Sequence, residues 1–128
     1  MRAPVPARLR ALVVDDSETF LRVAVRMLER DGITVVGTAA SIAEALERAV
    51  ALRPQVALVD VHLAGESGLE LARVLAATDA CGEVPVILMS THAEEELAPL
   101  VGSSPATGFV AKQDLSGAAV RSVLGLTR

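Results

Sequence analysis

The residues of this chain whose types and placing could do chemistry together are three aspartates, a serine-threonine pair and a lysine. Asp15-Asp16 follow the apolar run Leu9 to Val14, Asp60 follows Gln55 to Val59, Ser90-Thr91 follow Val84 to Met89, and Lys112 follows Gly108 to Ala111. Three converging carboxylates repel one another and bind protons more tightly unless a divalent cation lies among them. Ligands that are all oxygen favour a hard ion, Mg²⁺ first, and the short aspartate side chain holds its carboxylate where octahedral geometry needs it. A carboxylate is also a nucleophile toward a phosphoryl group and gives an acyl phosphate. The transferring group then needs its oxygens neutralised by the metal, an ammonium and a hydroxyl or N–H. Asp60, Lys112 and Ser90 supply the nucleophile, the ammonium and the hydroxyl. Lys112 is the one lysine among twelve basic residues.

These groups meet only if the elements before them end at a common edge. Short β-branched apolar runs alternate with amphipathic segments that open at serine and close near glycine or proline. Strands are expected over Leu9 to Val14, Ile33 to Gly37, Gln55 to Val59, Val84 to Met89 and Gly108 to Ala111. Between them, Ser17 caps a helix to about Arg30 with Phe20, Leu21, Ala24, Val25 and Leu28 on one face, and Asp31-Gly32 stops it. Ser41-Ile42-Ala43-Glu44 and Ser67-Gly68-Leu69-Glu70 read as capping boxes for helices to Leu52, before Pro54, and to Ala77. A short or irregular helix is expected over 93–101, where Pro99 intervenes, and a last one from Ser116 to Leu124 with Asp114 or Ser116 as cap. Strands apolar on both faces, alternating with helices, make an α/β doubly wound parallel sheet of the flavodoxin-like class, (βα)5 with order 2-1-3-4-5. Its ligand site lies beyond the carboxyl ends of the strands, where the five candidate positions fall.

Composition agrees with one such unit. The chain has 128 residues, 52% hydrophobic, with a net charge of -4. That is one domain with ample core, an arm over residues 1–8 and a folded unit over 9–128. No apolar stretch approaches the ~20 residues that span a bilayer, and two prolines break up the basic N-terminus, so a soluble, cytoplasmic protein is expected. The scattered arginines give no basic stripe for direct nucleic-acid binding. Cys81 is alone, which excludes a disulfide framework and a cysteine zinc site.

The segments Leu12-Val13-Val14-Asp15-Asp16, Ala57-Leu58-Val59-Asp60-Val61-His62-Leu63-Ala64-Gly65-Glu66-Ser67-Gly68, Ile87-Leu88-Met89-Ser90 and Gly108-Phe109-Val110-Ala111-Lys112 resemble the receiver domain of two-component response regulators. The resemblance runs from about Leu9 to the C-terminus, and the intervals Asp16 to Asp60, Asp60 to Ser90 and Ser90 to Lys112 are those of compact members. It implies a phosphoacceptor switch: Asp60 takes a phosphoryl group in a Mg²⁺-dependent reaction, with in-line transfer and the metal bridging Asp16 and the phosphoryl oxygens. Asp15, Asp16 and Asp60 would ligate the metal with the backbone carbonyl of His62. Ser90 matches the hydroxyl switch residue, Phe109 the aromatic switch position and Lys112 the lysine that pairs with the phosphoryl group. The implied partners are a histidine kinase or phosphotransfer protein and a downstream protein or output domain, and the family also admits a homodimer. Such a domain is a switch more than an enzyme, although it assists its own phosphorylation and hydrolysis.

Two positions depart from the family. Gln113 stands where a proline with a cis bond is usual, so a trans bond and an altered loop are expected. Ala64 replaces a frequent proline and should loosen its turn. The short helix over 93–101 lies on the face that usually reports phosphorylation. Taken singly, Ser90 reads as a strand-end polar residue, Phe109 as packing, His62 and His92 as loop residues, and Glu94-Glu95-Glu96 as a solvated helix start. The alternatives are a degenerate receiver acting without phosphate, the receiver half of a DNA-binding regulator, and a flavodoxin-like cofactor binder. The last lacks a phosphate loop, and Asp15-Asp16 would repel a flavin phosphate. The ending Leu124-Gly125-Leu126-Thr127-Arg128 carries no linker-like stretch and leans toward a stand-alone receiver.

Overall fold

Runs such as Val56 to Val59 and Val86 to Met89 have no polar face to turn to water, so their strands must be covered on both sides. The computed structural model, which describes residues 8–78, 84–91, 99 and 101–126, does this with one sheet between two layers of helices. Strands β1 (Leu9–Val14), β2 (Ile33–Ala39), β3 (Val56–Asp60), β6 (Val86–Ser90) and β7 (Gly108–Ala111) pair in parallel in the order β2-β1-β3-β6-β7. Counting only these five, the order is the expected 2-1-3-4-5. Helices α1 (Glu18–Arg30), α2 (Ile42–Leu52), α3 (Gly68–Ala77) and α4 (Gly117–Val123) flank them.

The two faces of the sheet have separate cores. Leu12, Val14, Ala57, Val59 and Leu88 pack with Ala45 and Ala49 of α2 and Leu71 and Leu75 of α3. Ala11, Val13, Val56, Leu58, Ile87 and Met89 pack with Ala24 and Leu28 of α1 and Val120 of α4. Alternation along each strand divides the residues between the faces.

Several boundaries differ from the sequence reading. β2 runs on to Ala39, because after a register shift at Ala11/Leu12 its last residues still pair with Val13 and Val14. β3 sits one residue later than expected and β6 starts two residues later and ends one later, so Asp60 and Ser90 end strands instead of following them. Gln55 instead leads in, its side chain accepting the Arg10 N–H at 2.9 Å, and Pro85, with no N–H of its own, precedes β6. The hairpin β4 (His62–Leu63) and β5 (Glu66–Ser67), turning at Gly65 with φ +76°, was not foreseen.

The serine caps form where expected, but the boxes close differently. Ser41 Oγ accepts the Glu44 N–H, while Glu44 reaches back to the N–H of Ala40 instead of Ser41. Ser67 Oγ accepts from Leu69, and Glu70 pairs with Arg73. Ser116, not Asp114, caps α4. No described peptide bond is cis, and Lys112–Asp114 form a 3₁₀ turn after β7. Residues 1–7 of the arm, most of the helix expected over 93–101, Cys81, His92 and Glu94-Glu95-Glu96 lie outside the described residues. No described helix is long and apolar enough to cross a membrane.

Candidate functional site

In a parallel sheet every strand delivers its last residue to the same edge. β1 places Asp15 there, fully buried, with its N–H donating to the Ala39 carbonyl at 3.0 Å. β3 places Asp60, 6% exposed, and β6 places Ser90, 1% exposed. Asp16 stands beside them and is exposed. Lys112 opens the 3₁₀ turn after β7, and its side chain reaches inward with 15% left accessible.

The contacts are ordered oxygen by oxygen. Asp15 Oδ1 accepts the Ser17 N–H at 2.8 Å, and Asp15 Oδ2 lies 2.5 Å from Lys112 Nζ. That second approach is a close ion pair, and among the described residues Asp15 Oδ2 has no other partner. Asp60 Oδ1 accepts the His62 N–H at 3.1 Å, and Asp60 Oδ2 accepts from Lys112 Nζ at 3.1 Å. The residue after Asp60 is pinned as well, Val61 donating to the Met89 carbonyl and accepting from Gly68, both at 2.9 Å.

Burial pushes the Asp15 carboxyl above the usual carboxylate range, the neighbouring charge of Asp60 adds to this, and Lys112 and the Ser17 N–H work against it. For Lys112 burial disfavours the ammonium, but hydrogen bonds to Asp15 and Asp60 and their charges outweigh it and hold the group above an ordinary lysine. One carboxylate oxygen from each of Asp15, Asp16 and Asp60 lies within 4.8 Å of the others. An all-oxygen, acidic donor set in which a buried carboxylate oxygen is met only by an ammonium, among the described residues, fits a hard divalent cation.

The sequence reading thus placed Asp15, Asp16, Asp60 and Lys112 in one cluster, and the structure brings them together. Ser90 ends the strand beside β3, buried at the same edge. Phe109 is half-buried and packs with the apolar core on the α2 and α3 side. His62 is exposed, and the contact it makes to Asp60 is through its backbone N–H. Sequence reasoning missed Phe20, whose ring centroid lies 4.3 Å from Lys112 Nζ. The available signal was its place in the first turn of the helix that follows Asp15-Asp16, but helical periodicity assigned it to the core face.

Comparison with known proteins bears on this geometry. The family described as response regulator receiver domain matches residues 11–118. The probable transcriptional regulatory protein NarL of Mycobacterium tuberculosis is 34% identical over 127 residues, covering 97% of this chain and 57% of that protein. The solved receiver domain of the putative response regulator NarL from the same organism superposes with a TM-score of 0.80 at 30% identity, covering 94% of this chain and 99% of that one. A response regulator protein from Burkholderia pseudomallei, solved with a phosphorylated aspartic acid, a calcium ion and citrate, superposes with a TM-score of 0.76 at 29% identity, covering 90% and 66%. The chain spans about half the length, or less, of the first curated relatives it matches.

Proposed function

The chain belongs to the response regulator receiver family, signalling domains with a phosphoacceptor role in two-component systems, and we propose that its acceptor is Asp60. The observation that carries this reading is the division of the Asp60 carboxylate, with Oδ1 on the His62 N–H and Oδ2 on the ammonium of the chain's one lysine. A backbone donor fixes the carboxylate's direction, and the lysine places positive charge where phosphoryl oxygens would arrive.

In the proposed reaction a carboxylate oxygen of Asp60 attacks phosphorus in line. The bond to the donor's leaving group breaks as the acyl phosphate forms, and the leaving group departs with the electron pair. Lys112, held between Asp15 and Asp60, shifts its ammonium toward the arriving oxygens. Asp15, Asp16 and Asp60 would hold Mg²⁺, with the His62 carbonyl as a further ligand, and the bound ion supplies charge neutralisation at the phosphoryl group. The Ser90 hydroxyl, buried one strand away, is then drawn to a phosphoryl oxygen, and Phe109 repacks inward against the core. Together they bias the surface between two states.

The unit is residues 9–128, with 1–8 as an arm. A histidine kinase or phosphotransfer protein supplies the phosphoryl group, a downstream protein or output domain reads it, and the setting is the cytoplasm. The domain itself signals and is not an enzyme acting on a separate substrate. The relatives named as transcriptional regulators favour one further reading of output, in which the switch controls a DNA-binding domain or partner.

The test is intact-mass analysis after incubation with acetyl phosphate, with and without Mg²⁺, on wild type and Asp60→Asn. Wild type is expected to gain one phosphoryl group only with Mg²⁺, and Asp60→Asn none. Labelling retained in Asp60→Asn overturns the assignment.

A further inference from the structure

An ammonium at the end of four rotatable bonds stays in one place only if its surroundings fix it. Two carboxylates fix Lys112 from one side, Asp15 Oδ2 at 2.5 Å and Asp60 Oδ2 at 3.1 Å. A third group meets it: the ring of Phe20, whose centroid is 4.3 Å from Nζ, within the range in which the negative face of an aromatic ring attracts a cation. We propose that Phe20 is a positioning residue for this reaction, its ring holding the Lys112 ammonium at the Asp60 carboxylate. The inference rests on the phosphoacceptor reading and adds to it a residue outside the expected set.

Phe20 is fixed by the same residues it serves. Asp15 Oδ1 accepts the Ser17 N–H at 2.8 Å, Ser17 Oγ accepts the Phe20 N–H at 3.2 Å, and the ring meets the ammonium that pairs with Asp15 Oδ2. The contacts close a loop from Asp15 through the start of α1 and Lys112 back to Asp15. The position of the ammonium is therefore tied to the strand end that carries the acidic pair. This matters most when Asp60 reacts, because its negative charge then passes outward to the phosphoryl oxygens. Lys112 must reach toward them without losing Asp15, and a ring against the ammonium limits its excursion to that short arc. A ring attracts any position of the cation across its face, whereas a third carboxylate would compete with the incoming phosphoryl group.

The test uses the whole chain with Phe20 replaced by 4-fluoro- and 3,4,5-trifluorophenylalanine, which keep the ring's shape while weakening its negative face, together with Phe20→Leu and Phe20→Tyr. Two quantities are read: the rate of labelling by acetyl phosphate with Mg²⁺, and the ε-methylene NMR signal of Lys112, which is unique because the chain has a single lysine. The labelling rate is expected to fall in order along the fluorinated series, reaching roughly five- to tenfold below wild type in Phe20→Leu, with Phe20→Tyr close to wild type. The Lys112 signal should lose its ring-current displacement in Phe20→Leu. A ring that serves only packing would leave the fluorinated series flat, and a flat series in a protein that labels on Asp60 overturns the role of Phe20 while the phosphoacceptor reading stands. A wild type that never labels overturns that reading, and this role with it.

Discussion

A β-carbon on Gly68 would stand 2.1 Å from the Asp60 carbonyl oxygen and 2.9 Å from a Val59 methyl group, so the first residue of α3 lies directly against the backbone of the candidate acceptor. The Gly68 N–H also donates to the Val61 carbonyl at 2.9 Å. The need for glycine here is space, whereas at Gly65, where an added β-carbon would meet nothing within 4 Å beyond its chain neighbours, it is the backbone angle of +76°. Gly68→Ala should force the strand end and helix apart and cost about 1 to 3 kcal/mol, as overpacking does, and slow labelling at Asp60 as well. Gly65→Ala should cost only the left-handed conformation, about 1 kcal/mol, and leave labelling near wild type. Urea unfolding of both variants checks the order, and a milder effect at Gly68 than at Gly65 refutes the close-approach account.

Lys112 neutralises two carboxylates that the fold has already buried. Lys112→Ala leaves them facing each other, and breaking such a pair should destabilise the fold by on the order of 2 to 3 kcal/mol, less than for a fully enclosed pair because the lysine is partly accessible. A divalent cation among Asp15, Asp16 and Asp60 restores the missing charge without competing with the ammonium. The rise in thermal midpoint on adding Mg²⁺ should therefore be larger in Lys112→Ala than in wild type. Equal or smaller stabilisation of the variant would show that the ammonium and the cation do not share these carboxylates.

The last helix is tied to the first through Asp31. Its Oδ2 accepts the Gly117 N–H at 2.8 Å, and its carbonyl accepts from the Arg121 guanidinium at 2.7 Å. Asp31→Ala removes the side-chain acceptor for an N–H in the first turn of α4 and should cost about 1 kcal/mol. Hydrogen exchange should quicken in α4 and stay unchanged in β1 and β3. Uniform quickening would mean that Asp31 acts through the core instead.

Most of this arrangement could be read from the chain because each deciding signal is local. The apolar runs fix five strands, Ser17, Ser41, Ser67 and Ser116 fix four helix starts, and a parallel sheet then sends Asp15, Asp60, Ser90 and Lys112 to one edge. The features that escaped depend on packing between segments far apart in sequence. Phe20 meets Lys112 only after β7 is laid beside β6, and Gly68 meets the Asp60 carbonyl only after α3 folds back on β3. The β4–β5 hairpin escaped because two-residue strands carry too little alternation to register as a pattern. Phe109 was placed correctly on its strand, but its packing against the α2 and α3 core depends on which face that strand presents.

That hairpin carries the His62 N–H to Asp60, and it is anchored to α2 by Glu66, whose Oε1 accepts the Ile42 N–H at 3.0 Å. Ile42 is the first residue of α2, so the carboxylate also meets the positive end of a helix dipole. Because Glu66 is exposed, its contribution to global stability should be small, about 0.5 to 1 kcal/mol. Its effect on the site should be larger in proportion, since the strands of this hairpin pair over only two residues each. Glu66→Ala should speed hydrogen exchange at His62 and Leu63 and slow labelling of Asp60 by a few fold, while Glu66→Gln, which keeps an acceptor oxygen, should fall between. The His62 N–H orients the acceptor only while the hairpin stays closed, so exchange and labelling should change together across the three proteins. Faster exchange with unchanged labelling would separate them and show that the carboxylate keeps its direction without that N–H.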